Sequence, residues 1–447
     1  MEKETASSSS HRSHVLVLPF HGQGHMNPML QFSKRLASKH IKITVAATLS
    51  GTKSQSSSSI SFESIYDDIN DGGLEGVGGF KGFLERFEAV GGENLKKIIE
   101  KYQGTEQPIK CLVYDANLPW SLDVAKGAGI LGAAFFTQSC ATVADYLEML
   151  NNEDAVLPEL GFPTLPDIGP MTGRFHPVLK LILSHFSNLD KADWVLFNSF
   201  HCLEEKVIQD LLKLYPVRTI GPTLPSKYLD NRVLGDNDYG FSLYHSTGDT
   251  CVNWLNTKET GSVVYVSFGS AARLSAEQTI ELAYGLKQSN INFLWVVRAS
   301  EVEKLPVTFK ENTWDRGLIT TWCPQLEVLA HRAVGCFVTH CGWNSTVEGV
   351  SLGVPMVAMP QFLDQFSDAK FVEQIWGIGV RPKSDDGKGF VTRNEIERCI
   401  KEVMEGEKKE VFKRSASKWK ELAKEAVDEG GSSETSISEI VARLVQN

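Results

Sequence analysis

The sequence has no surplus of positive charge: 45 lysines and arginines stand against 55 aspartates and glutamates, for a formal charge of -10. Binding a phosphate backbone needs a dense basic face, so this balance excludes nucleic acid as a partner. Long apolar runs are also missing. A membrane helix takes about 18 uninterrupted apolar residues, and the longest candidate, 128–136, is broken by Gly129 and Gly132. The first residues lack the apolar core of a secretory leader, and the eight cysteines include no CxxC pair. A disulfide framework is thereby excluded, and a cytoplasmic protein with reduced thiols and no membrane span is expected. His331, Cys336, His340 and Cys341 lie close in sequence, but their spacing fits no zinc site.

What the chain does have is alternation. Its 447 residues suffice for two domains of roughly 100–200 residues each. A Ser-rich start, 1–13, reads as disordered; 14–20 (HVLVLPF) is a buried strand, HGQGHMNP a loop, and an amphipathic helix then runs to about Lys39. Further strands are expected at 41–48, 60–65, 109–115, 132–136, 194–198 and 217–220, with helices near 83–102, 120–126 and from about Ala141. The Ser-rich run 54–59, the Gly-rich 71–82 and the Pro-rich 157–177 read as surface loops. After a polar, weakly periodic stretch the alternation resumes, with strands at 262–268, 293–297, 318–321, 335–339 and 355–358. The charged segment 393–428 is helical, Glu429-Gly430-Gly431 breaks it, and 436–445 forms a last helix. Such alternation implies an α/β fold of two doubly wound, Rossmann-like domains with parallel sheets covered on both faces. The expected divisions are 14–225, a linker 226–250, 251–430 and a terminal segment 431–447.

Chemistry-bearing residues are densest in 322–365. The turn His340-Cys341-Gly342-Trp343 ends one strand, and Asn344-Ser345-Thr346 opens a helix whose unpaired N–H groups and dipole suit an anion. Around it stand Trp322, Pro324-Gln325, His331, Gly335, Glu348, Gly353-Val354-Pro355, Pro360 and Asp364-Gln365. In this order and spacing the stretch resembles the signature of the plant family 1 UDP-glycosyltransferases. The likeness continues through the glycine turn near His25, Phe268-Gly269-Ser270 and the C-terminal helices. It implies the GT-B architecture, with an acceptor domain first, a UDP-sugar domain second, and the last helix packing back on the first.

The resemblance also implies roles. Trp322, with Cys323 beside it, would offer uracil a flat apolar face, and Gln325 with Glu348 would take the ribose hydroxyls. His340, Gly342, Asn344, Ser345 and Ser270 would surround the diphosphate; Trp343, Asp364 and Gln365 would read the sugar. Trp343 and Gln365 are similar to those of glucose-using members, so UDP-glucose is the expected co-substrate, with no cofactor and no metal. Without the family, Trp322 and Trp343 would read as core and Glu348 as a solvated helix charge. Gly349 departs from the pattern, and since a helical glycine costs about 1 kcal/mol relative to alanine, local softening is expected there.

In the family a histidine after the first strand takes the acceptor's proton; the matching residue is His25, and Asp115, ending the strand CLVYD, would orient it. His21 is the competing base, expected instead to line the acceptor pocket. The other expected contributors are Phe20, Asn117, Trp120, Phe136, Met149 and Phe362, an apolar set suited to a flat hydrophobic molecule. The sequence thus reads as a monomeric, inverting glucosyltransferase acting on a steroid or triterpenoid hydroxyl, or else on an aromatic acid such as salicylate. Two readings from other classes compete. A binding protein without catalysis would not need His25 with Asp115, and an NAD-dependent oxidoreductase would need a third glycine where Asn27 stands. Asp67-Asp68-Ile69-Asn70-Asp71 and Asp236-Asn237-Asp238 spell cation motifs but read as solvated turn carboxylates.

Overall fold

The computed structural model describes residues 13–47, 60–65, 79–151, 164–165, 169–170, 177–240, 248–313, 315–384 and 390–446. Two parallel sheets carry the architecture. The first has seven strands: β1 Ser13–Leu18, β2 Ile41–Ala47, β3 Ile60–Ser64, β4 Ile109–Asp115, β5 Leu131–Phe136, β8 Trp194–Phe197 and β9 Val217–Thr219, in the order β3-β2-β1-β4-β5-β8-β9. The second has six: β10 Val263–Ser267, β11 Asn292–Val296, β12 Gly317–Thr320, β13 Val334–Thr339, β14 Met356–Ala358 and β15 Gly379–Val380, in the order β12-β11-β10-β13-β14-β15. A two-stranded antiparallel pair, β6 Thr164–Leu165 with β7 Gly169–Pro170, lies in the Pro-rich stretch expected to be loop.

Central strands are apolar throughout because helices cover both faces. Val15 and Val17 point into one layer and Leu16 and Leu18 into the other, all four fully buried. In each sheet the strand order reverses beside the first strand, between β1 and β4 and between β10 and β13. That reversal opens a crevice at the strands' C-terminal ends, where α/β sheets bind ligands.

Several expectations need correction. The helix Gln23–Ser38 takes in most of the HGQGHMNP segment expected as loop, so His25 sits in its first turn. Gly22, at φ 145, makes the turn that only glycine adopts readily. The charged segment 393–428 is two helices, Arg393–Met404 and Lys409–Val427, and the last helix starts earlier, at Ser432–Gln446. Ile437, Ile440, Val441 and Leu444 of that helix join the core formed around Val15, Ile43 and Phe135. The linker is fastened: Arg35 forks onto both oxygens of Asp230, at 2.6 and 2.9 Å, and Asp236 is buried against Lys34 at 2.8 Å. Asp236 is therefore no solvated turn carboxylate. The runs 54–59 and 67–71 and most of 157–177 lie outside the described residues. Among the described residues no helix is long and apolar enough to cross a membrane.

Candidate active site

At the crevice of the first sheet, His25 Nδ1 lies 2.7 Å from Asp115 Oδ2, with Thr137 Oγ1 3.2 Å from the same nitrogen. The other carboxylate oxygen of Asp115 accepts the Asn117 backbone N–H at 3.0 Å. The imidazole is 24% exposed and the carboxylate 2%. An N–H donated from Nδ1 leaves the Nε2 lone pair on the accessible side, the state a general base needs. Burial alone would disfavour the imidazolium, but the charge and hydrogen bond of Asp115, joined by the charge of Asp364, raise the pKa of His25 above 6.5.

Around this pair Phe20 lies edge-on to His25, centroids 5.3 Å apart. His21 is exposed to solvent, but protein atoms crowding its ring desolvate it enough to lower its pKa. Trp120, Met149 and Phe362 are each half-buried. Asn117 accepts from His185 Nε2 at 2.6 Å, so its carbonyl oxygen is committed to the protein. Phe136 is fully buried and stacked on Phe197 at 5.0 Å; it is a core residue and offers no wall to a pocket.

At the second crevice, Gly269-Ser270 follow β10 and His340 follows β13. A Cβ on Gly269 would stand 2.8 Å from His340 Cε1, and one on Gly342 2.5 Å from Nε2, so the ring fits only between glycines. Cys341, between them, carries a left-handed φ of 61, a strained conformation that recurs at ligand sites. Burial, then the nearby Arg298 charge, pulls the pKa of His340 down to about 4. The ring is therefore neutral at pH 7 and can meet an anion only as a hydrogen-bond donor. Arg298 donates to the carbonyls of Ser270 and Ala272 and brings a positive charge to this loop.

The helix Trp343–Leu352 begins without a cap from its own N-terminal residue. Burial raises the pKa of Asp364 to about 6, against backbone hydrogen bonding and the charge of His25. Along the helix, Gln325 Nε2 donates to Ser345 Oγ at 2.9 Å and Glu348 Oε2 at 2.6 Å, while Tyr265 Oη donates to Gln325 Oε1 at 3.0 Å. Trp322 is half-buried, leaving part of its ring accessible, and Cys323 is buried 3.3 Å from Tyr265 Oη. Gly349 has a packing reason: a Cβ there would meet the Met356 methyl at 2.3 Å.

Two residues expected to read a sugar also make side-chain bonds within the protein. Trp343 is 2% exposed and donates its indole N–H to the Asn198 carbonyl at 2.8 Å, pinning one domain to the other. Gln365 turns its Oε1 onto the backbone N–H groups of Gln361 and Phe362, at 2.9 and 3.2 Å. Asn344 crosses the cleft, its Nδ2 2.5 Å from the Gly24 carbonyl. That carbonyl is available because Pro28, four residues on, has no N–H to give it. Sequence reasoning missed Tyr239, whose hydroxyl donates to Glu348 Oε1 at 2.7 Å, and nothing in its polar surroundings signals that role. Among the described residues no three His, Cys, Asp or Glu side chains gather as metal ligands.

Residues 246–424 match the family model described as UDP-glucoronosyl and UDP-glucosyl transferase. The chain is 46% identical to a flavonol 7-O-beta-glucosyltransferase of Arabidopsis thaliana, over 97% of this chain and 98% of that one. It is 44% identical to a mogroside I-E synthase of Siraitia grosvenorii, over 97% and 99%. The crystal structure of Os79 from O. sativa in complex with UDP matches with a TM-score of 0.87 at 40% identity, covering 96% of this chain and all of that one (100%).

Proposed function

The chain belongs to the plant family 1 UDP-glycosyltransferases, and from that premise we propose that it transfers glucose from UDP-glucose, with inversion, to a hydroxyl of a rigid hydrophobic molecule of the steroid or triterpenoid class. The observation that carries the mechanism is the 2.7 Å contact between His25 and Asp115, on a helix whose Gly24 carbonyl touches Asn344 of the phosphate-binding turn. This contact sets the base against the donor site. His25 Nε2 takes the hydroxyl proton, Asp115 stabilises the imidazolium that forms, and the oxygen attacks the anomeric carbon from the face opposite UDP, giving a β-glucoside. The N-terminus of the helix Trp343–Leu352 and the Arg298 charge stabilise the departing diphosphate. Transfer should persist in EDTA.

The relatives' names point to a flavonol in one case and a mogroside in another, so the acceptor is argued from this site. The charged groups acting on His25 are the acids Asp115 and Asp364. They repel a carboxylate acceptor, and this favours a hydroxyl over an aromatic acid such as salicylate. A product-mass screen of UDP-glucose with steroids, triterpenoids, flavonoids and aromatic acids tests the choice; salicylate as best substrate would overturn it. His25→Ala should lose at least 10²-fold in kcat with a hydroxyl acceptor, and Glu348→Ala should raise the KM for UDP-glucose.

A further inference from the structure

The segment 226–250 was expected to be a plain connector, yet one of its residues, Tyr239, reaches the donor site. Tyr239 donates its hydroxyl to Glu348 Oε1 at 2.7 Å, while Gln325 holds Oε2 at 2.6 Å. The phenol stays a donor, because burial and then the charge of Glu348 raise its pKa well above 10.0. Its position is set from the other domain. The carbonyl of Asp238, its neighbour, accepts from Gln31 at 3.0 Å and Lys34 at 2.7 Å, both on the helix that carries His25. Lys34 also pairs with buried Asp236, which accepts the Ser226 N–H at 2.7 Å.

We propose that Tyr239 is a positioning residue of the donor site, which fixes the Glu348 carboxylate for the ribose of a nucleoside diphosphate sugar and is itself held by the acceptor domain. The proposal rests on the reading that Glu348 receives the ribose. Each carboxylate oxygen has two lone pairs. Tyr239 uses one on Oε1 and Gln325 one on Oε2, which leaves one on each for the vicinal 2′- and 3′-hydroxyls. Without Tyr239, Glu348 can rotate about its last bond, and only Gln325 holds the geometry that matches both hydroxyls.

The test compares UDP with 2′,3′-dideoxy-UDP by calorimetry on the full-length protein. Tyr239→Phe should weaken UDP about tenfold, the scale of one hydrogen bond to a charged group, and leave the dideoxy compound unchanged within a factor of about two. In kinetics the KM for UDP-glucose should rise by the same factor at nearly constant kcat. The acid limb of UDP binding should move to higher pH, since Glu348 is already raised by burial and loses a donor that favours its ionised form. Lys34→Met, which loosens the support without touching Glu348, should shift UDP affinity in the same direction by about two- to threefold. Equal losses on both nucleotides, or unchanged UDP affinity in Tyr239→Phe, would overturn the proposal. A parent protein that binds no UDP at all would overturn the donor-site reading as well.

Discussion

His25, part-buried in the first turn of a helix, and His340, buried just after a strand, are driven apart by their neighbours. Asp115 and Asp364 raise His25; burial and Arg298 lower His340 to about 4. The base must be unprotonated to act, so kcat/KM for a hydroxyl acceptor should fall on the acid side with a midpoint above pH 6.5. Asp115→Asn removes the raising charge, and a pH–rate profile should show this limb moved down while the plateau drops by about 10² or more. Stability follows with opposite signs. The contribution of His25 is fully present below its unfolded pKa and is lost as pH rises through the raised folded value. For His340 the unfolded chain binds the proton first, so stability falls as pH drops from 6.5 towards 4. At the same scale, Gly269→Ala drives a methyl into the His340 ring, which has no flexible end to move aside. Its donor KM should rise more than tenfold at little change in kcat, as measured by initial rates.

Among elements, the longer strands were legible because apolar runs bounded by turns announce them, whereas the two-residue strands β6, β7 and β15 were not; a strand's end places His25 near Asp115 without any knowledge of contacts. Side-chain direction was not legible. Trp343 and Gln365 sit where the motif predicts, but their outer atoms bond Asn198 and a loop backbone, partners remote in sequence or hidden in local geometry. Tyr239 was invisible for the same reason: a tyrosine in a polar, aperiodic stretch reveals nothing about a carboxylate 109 positions away. The helix Ser432–Gln446 shows what an amphipathic pattern can reveal, since its apolar stripe lies in the first sheet's core. Ile440, 3% exposed there, should cost about 2–5 kcal/mol when replaced by alanine, as read from urea unfolding.

At the scale of the molecule, the last helix and the linker both pack against the first domain. Ser433 Oγ donates to the Gly221 carbonyl at 2.5 Å, Trp343 to Asn198, and Ser367 to Asp145 at 2.6 Å across the facing helices. These ties predict that the parent unfolds in a single calorimetric transition. Deleting the residues from Ser432 onward should split it, with the first domain melting earlier because its core is uncovered. The Asn344 bond to Gly24 is of a different kind. Pro28 withholds the hydrogen that a helix would normally return to that carbonyl, and the site is exposed, so water can take the place of the Asn344 amide. The amide is thus on loan: water can relieve it with no carbonyl left dry behind it. Replacing Pro28 by alanine would end that exchange, giving Gly24 a permanent partner within its own helix.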